Sequence, residues 1–560
     1  MYYLSLLIED ESVSRRLALR TAAAAAAAGA AKGQGGIPAE VVRRHDEAVE
    51  RLLKMQVTDA ASRWRGGYPD AYGLHHGGSG SGLINAFATA MLQPASKHHA
   101  SGLLMERLRL AVDFMNRHVT PDGNYNLLTT NFNSPPDTAF IMLNMASAAH
   151  HARKAGHGEL ENLLAPLLKR SGAAMVRGGI HTPNHRWVVC EALAQINELY
   201  PDAAYVRRIG QWLAEAIDID ADGQYTERST VVYNAITNRA FTVMALKLKR
   251  PELLDPVRRN LNAMLYLLHP GGEVVTEISR RQDLNTRGTL ASYWLPLKYL
   301  ALKDGNGVFE GLARQLHGGL SEYMEYPELT GPGPEPQPPP EDYEKQFPAI
   351  KVARIRRSLT SATLMLGGSN RIFALRRGEA VINAVRFASA FFGKGQFVPT
   401  MAEKRGGTYV FSQELEGPYY QPLDPARRVG TEEWEAVRKM RRQTEVCRMR
   451  YEAAVEELPG GFRLRARAEG TTDVPLAVEI NLREGGKIEG CEPAPEVKDG
   501  WILASGQAVY RMGNDAIRFG PGMKVHGYTQ VRGAEPKLAG PSVYLTGYTP
   551  FDHSIEFRWA

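Results

Sequence analysis

Apolar residues recur three and four apart through much of residues 37–326, clearly so over 40–55, 103–119, 192–200 and 206–217. That spacing predicts amphipathic helices. Between them, Gly66-Gly67, Asp122-Gly123, Gly178-Gly179, Asp222-Gly223 and Gly271-Gly272 recur at intervals of roughly 45–55 residues. A period of that size holds one helical hairpin, and a run of hairpins makes a stacked or closed array. Glycine supplies the positive φ needed where a helix ends and the chain turns. Helix-start signals follow the turns. Ser134-Pro135-Pro136-Asp137 combines a capping serine, a proline at the first helical position and an acid in the first turn. Thr182-Pro183-Asn184-His185 repeats that logic, Ser229 is expected to cap a helix over 230–249, and Ser81 one from Gly82. An alternating array puts these starts on one rim, so loops remote in sequence converge there, around a cleft against the domain that follows. The competing arrangement is an open solenoid without a central site.

Residues 327–340, PELTGPGPEPQPPP, suit neither a helix interior nor a central strand and read as a linker. Beyond them the period becomes two. Phe462, Leu464, Ala466 and Ala468 alternate with Arg463, Arg465 and Arg467, and 476–482, 542–548 and 554–559 behave alike. Such runs between glycine turns predict antiparallel strands, with the arginine row on a solvated face. The expected class is α+β multidomain: an incomplete (α/α) toroid of helical hairpins over 37–326, a proline-rich linker over 327–346, and an antiparallel β-sandwich over 347–560.

Composition narrows the partners. At 560 residues the chain exceeds one hydrophobic core, and its net charge of +6 favours an anionic partner. No basic helix, zinc spacing or RNP-like aromatic run points to nucleic acid, whereas an acidic polysaccharide or oligosaccharide suits the charge. Cys190, Cys447 and Cys491 are too scattered for a disulfide framework or a metal site. His75-His76 has no partner at ligand spacing, so neither a metal nor another cofactor is expected. Within residues 1–36, Ser14-Arg15-Arg16-Leu17-Ala18-Leu19-Arg20 precedes an alanine-rich stretch and a small-x-small site at Ala28-Gly29-Ala30. This resembles a twin-arginine export signal, implying a periplasmic or secreted protein with no membrane association after its removal.

Unusual polar residues concentrate in the rim loops. The first holds His75 and His76; the second, Asn131 and Asn133; the third, His181, Asn184, His185, Arg186 and Trp187. The fourth runs from Asp222 through Tyr225, Glu227, Arg228 and Ser229 to Tyr233 and Arg239, and the fifth holds Glu277, Arg280, Arg281, Gln282 and Asp283. This layout resembles the toroid-plus-sheet polysaccharide lyases, the heparinase II/III-like group with its alginate and chondroitin lyase relatives. Asn131-Phe132-Asn133-Ser134-Pro135-Pro136 is similar to the asparagine-bearing loop that begins an inner helix in these enzymes. Asn184-His185-Arg186-Trp187 is similar to their asparagine or histidine segment, and Asp222-Gly223…Glu227-Arg228-Ser229…Tyr233 to the segment ending on their catalytic tyrosine. The resemblance implies that Tyr233 is the acid and a candidate base, with His185 or Asn184 beside the substrate carboxylate. Tyr225 is the next candidate. Many relatives add a histidine from the sheet domain; here only His526 and His553 are available, neither in a recognisable motif.

The chemistry asks for the same residue types. A uronide lyase removes the C5 proton beside a carboxylate and expels the 4-linked oxygen. The intermediate needs hydrogen-bond donors on that carboxylate, and the proton transfers need groups such as tyrosine and histidine. Asn131, Asn133, Arg186, Trp187, Arg228, Arg239, Arg280, Arg281 and His76 are the expected substrate-binding set. Helix N-termini add partial positive charge on the rim. Two other readings compete. A glycoside hydrolase would need two facing carboxylic acids, and Asp137, Glu227, Glu277 and Asp283 do not stand out as a pair. A catalytically silent carbohydrate-binding protein would keep the scaffold alone.

Overall fold

The computed structural model describes residues 36–559 apart from 428, 429, 431–433 and 496; the expected export signal lies outside these residues. The chain divides into two compact units, one of residues up to 265 plus 274–339, the other of 266–273 plus 340 onward.

The first unit is built of helical hairpins. Its helices are α1 (Ala39–Met55), α2 (Gly77–Leu92), α3 (Gly102–His118), α4 (Pro135–Lys154), α5 (Gly158–Arg177) and α6 (Pro183–Leu199). They continue as α7 (Ala203–Ala214), α8 (Tyr233–Lys247), α9 (Leu254–Met264), α10 (Trp294–Asp304), α11 (Gly307–Arg314) and α12 (Leu320–Glu325). Helices α2, α4, α6, α8 and α10 pack side by side in that order as an inner layer, and α3, α5, α7, α9 and α11 back them from outside. Burial follows the layers. Helix α6 is buried on nearly every face, whereas α7 buries only Tyr205 and Ile209.

The glycine turns seal successive repeats. Gly66, Gly123 and Gly223 all have positive φ, and each lies against a backbone carbonyl of the next outer helix, Leu110, Arg170 and Arg259 respectively. Arginines on those helices reach back to the turns. Arg117 donates to the carbonyl of Arg65, Arg170 to that of Thr120 at 2.8 Å, and Arg259 to that of Asp220 at 2.5 Å.

Two helix starts differ from expectation. Helix α2 begins at Gly77 with His76 as its cap, His76 Nδ1 accepting from the Gly78 N–H at 3.2 Å; Ser81 lies inside it. Helix α8 begins at Tyr233, and Ser229 Oγ accepts the Tyr233 N–H at 3.0 Å from four residues upstream. Ser134 caps α4 as its motif predicts, through the Asp137 N–H.

The proline-rich stretch is a docked strap rather than a free linker. After a 3₁₀ turn at Pro327–Thr330, the Gln337 N–H donates to the Gly307 carbonyl at 2.9 Å. Gly307 and Gly311 on α11 leave room for it, since a Cβ on either would strike the carbonyl of Glu335 or Gln337. The first strand beyond it, Asp342–Phe347, begins inside the stretch expected to be linker.

The second unit is a sandwich of a ten-stranded and an eight-stranded sheet. Their facing side chains form one core, where Phe373 of the larger sheet meets Phe462 and Phe557 of the smaller at 5.6 and 5.5 Å between ring centroids. Among the described strands pairing is antiparallel except between Gly500–Ile502 and Ser542–Tyr548, and an isolated parallel bridge joins Lys524 to Thr546. Arg463 and Arg465 pair with Glu556 and Asp552 across neighbouring strands, which makes the arginine row a solvated face. Residues 266–273 belong to this unit, so Gly271-Gly272 does not join helical hairpins.

Candidate active site

Three rim segments of the first unit meet around Tyr233. Asn184 and His185 occupy the first turn of α6, Glu227 follows the fourth glycine turn, and Arg281 and Gln282 come from the loop before α10. Asn184 Nδ2 donates to Glu227 Oε2 at 2.7 Å and to Thr182 Oγ1 at 3.2 Å, so Thr182 orients this amide instead of capping the helix through its side chain. The other Glu227 oxygen lies 3.3 Å from Arg281 Nη1. The Arg281 guanidinium sits 4.8 Å from the centre of the Tyr233 ring, a cation–π contact, and Gln282 Nε2 donates to the phenol oxygen at 2.8 Å. Asp283 braces the assembly, accepting from Ser229 Oγ at 2.9 Å and the Val231 N–H at 3.1 Å, with Ser279 on its second oxygen.

His185 is buried beside this cluster, its ring edge-on to His181 at 4.6 Å. Burial, then the charges of His181 and Arg281, push its pKa down to about 3, so the imidazole is neutral at ordinary pH. His185 Nδ1 and Asn184 Oδ1 are both buried without a hydrogen-bond partner. Burial raises the Glu227 carboxyl, against the pull of Asn184 and Arg281.

The other expected residues lie elsewhere or are engaged locally. Tyr225 is buried in the core, its hydroxyl donating to Asn238 Oδ1 at 2.9 Å and its pKa pushed well up by burial. Arg186 and Trp187 turn the other way on α6 and both donate to Asp218 at 2.9 Å. Asn131 and Asn133 form part of a small hairpin. Asn131 donates to Asp137 at 2.9 Å; Asn133 donates to Asp122 at 2.7 Å and accepts from Thr120 at 2.8 Å. Arg239 lies two turns along α8, paired with Glu191 at 3.2 Å and Glu322 at 2.6 Å. His76 faces Asp70 at 3.7 Å from its capping position. Arg228 and Arg280 remain on the rim, close enough that Arg280 adds to burial in lowering the Arg228 pKa, against Asp220 and Asp222. Gln282 and Glu227 were absent from the expected set. Glu227 stands within the segment that ends at Tyr233, and Gln282 within the polar fifth rim loop, so both loops are legible in the sequence although neither residue is in the expected binding set.

No family model and no curated protein matches the sequence. Solved structures do match. A chondroitin AC lyase from Streptomyces coelicolor A3, in complex with chondroitin sulphate, aligns with a TM-score of 0.55 at 14% identity, covering 100% of this chain and 82% of that one. A Paenibacillus xanthan lyase aligns with a TM-score of 0.53 at 10% identity, covering 93% of this chain and 57% of that one. A chondroitinase AC lyase, with a TM-score of 0.50 at 10% identity, covers 93% and 82%. This chain has the fold of these lyases. At such identities the likeness is one of fold, a helical toroid followed by antiparallel sheets.

Proposed function

We propose that the chain is a polysaccharide lyase that cleaves a uronic-acid-containing glycan by β-elimination, with Tyr233 moving the proton. The observation that carries this is the Tyr233 phenol, half-buried on the rim, with Gln282 donating to its oxygen at 2.8 Å and the Arg281 guanidinium over its ring. These two groups set a hydrogen-bond donor and a positive charge beside the phenol oxygen, where the proton is moved. The tyrosine can then take the C5 proton and return one to the leaving 4-linked oxygen. Arg281, with Arg280 beside it in sequence, supplies positive charge for the substrate carboxylate as the enolate-like intermediate forms. His185, neutral and with an unpaired Nδ1, serves as a hydrogen-bonding group rather than a cation. The shared fold with chondroitin AC and xanthan lyases supports the reading. A hydrolase is less well served, because Glu227 is tied to Asn184 and Arg281, and Asp283 to Ser229 and Ser279.

The test is ultraviolet absorbance of an unsaturated uronide, with the purified protein incubated on alginate, glycosaminoglycans, pectins and glucuronans. Absorbance should rise on at least one of them. Tyr233→Phe should lower that rate by about 10²–10⁴, the usual contribution of a general acid–base group, while the protein stays folded. Reducing ends released without absorbance would replace elimination by hydrolysis. Near-wild-type turnover in Tyr233→Phe would remove Tyr233 from the chemistry.

A further inference from the structure

Glu227 is buried, yet it touches both flanks of the tyrosine: Asn184 at 2.7 Å on the α6 side and Arg281 at 3.3 Å on the other. A carboxylate can only accept. The amide group facing it must therefore be the Asn184 NH₂, whose second hydrogen reaches Thr182 at 3.2 Å. Both N–H bonds of Asn184 are thus engaged within the protein, and its unpaired atom is the acceptor Oδ1. An acceptor repels a carboxylate.

Resting on the lyase reading, we infer that Glu227 is the positioning residue of this site. One oxygen turns Asn184 into an acceptor, and the other holds Arg281 against Tyr233. Arg281 then neutralises the substrate carboxylate, while the buried Asn184 holds Glu227 from the other side. The charged groups facing Glu227 are Arg281, from the loop before α10, and Asp218, from the stretch before the fourth turn. Once Glu227 is protonated, Arg281 loses its counter-charge and the Asn184 amide is free to rotate. Turnover should therefore fall on the acid side through a group other than His185, already neutral there.

The test uses the full chain and three variants, Glu227→Ala, Glu227→Gln and Glu227→Asp. In a crystal structure of Glu227→Ala the Arg281 guanidinium should leave the Tyr233 ring and the Asn184 amide should turn. Arg281 unmoved at its wild-type distance overturns the inference, whether or not the protein proves to be a lyase. Should Glu227→Ala not fold, Glu227→Gln, which keeps the size, carries the same structural reading. On a glycan that wild type cleaves, Glu227→Ala should lower kcat by about 10²-fold, as for a misplaced reacting group, with kcat/KM falling in parallel. Glu227→Gln should lose less and flatten the acid limb, and Glu227→Asp should keep that limb. An unchanged acid limb in Glu227→Gln overturns the inference. If wild type yields no unsaturated product on any glycan, the lyase reading fails, and the crystal structures alone decide the role of Glu227.

Discussion

At the scale of single residues, the buried histidines tie stability to pH. His151, deep on α4, donates to or accepts from Ser321 Oγ at 2.9 Å, and burial pushes its pKa down to about 4, Glu325 opposing. Its unfolded value is near 6.5. Between those two values the unfolded chain binds the extra proton and the folded chain does not, so stability is fully present above 6.5 and drains away as pH falls towards 4. For this one group the loss reaches about 3 kcal/mol, and His185 adds to it in the same direction. Urea unfolding between pH 7 and 4 should therefore show His151→Gln losing less stability than wild type; parallel curves would contradict the shift. Residue fates also show what a sequence cannot reveal. Tyr225 and Tyr233 share one polar segment, yet one is core and the other rim. Asn184-His185 and Arg186-Trp187 are adjacent, but a helix turns about 100° per residue, so the second pair faces Asp218 instead.

Among elements, the repeated unit is a hairpin whose glycine turn docks on the next outer helix. That device explains why the turns were legible and much else was not. Outer helices such as α7 show one apolar stripe and could be read from periodicity. Inner helices are buried on nearly all sides, which erases the stripe: apolar periodicity marks α6 only from residue 192, whereas the start signal at Thr182-Pro183 marks where it begins. Part of the basic charge serves the same seams, through Arg117, Arg170 and Arg259. The glycines therefore differ in their tolerance. Gly223 has φ of +81° and an added Cβ would lie 2.6 Å from the Arg259 carbonyl, whereas nothing approaches within 4 Å of one on Gly179. Gly223→Ala should cost at least about 1–3 kcal/mol, the usual strain of a left-handed non-glycine residue. Gly179→Ala should be close to neutral. Equal melting temperatures for the two would show that the turn does not carry the seam.

For the molecule as a whole, the sequence reads as two consecutive domains, and the structure as two units that are both discontinuous, because residues 266–273 leave the first and join the second. Residues 266–273 carry neither strand alternation nor linker composition, and Gly271-Gly272 continues the spacing of the hairpin turns, so nothing in the pattern marks them as part of the sheet unit. Physically they are its charge balance. Arg354 is fully buried and donates to the carbonyls of Tyr266 at 3.4 Å and Leu268 at 3.3 Å. Glu273 takes Arg376 and Arg483, each at 2.7 Å; although burial opposes it, the two guanidiniums hold its carboxyl below the usual range. Breaking a buried pair by removing one partner typically costs about 3–5 kcal/mol, because the other charge is left uncompensated. A fragment of residues 340–560, cut where the sequence suggests a boundary, would lack Glu273 and both carbonyls. It should unfold at markedly lower urea than the sheet unit within the intact chain, and Glu273→Gln in the full chain should show part of the same loss. Fusing 266–273 to the fragment through a flexible glycine-serine linker should restore stability, since it returns the carboxylate without the helices. A bare fragment as stable as the fused one would mean that the arginines find adequate partners within the sheets.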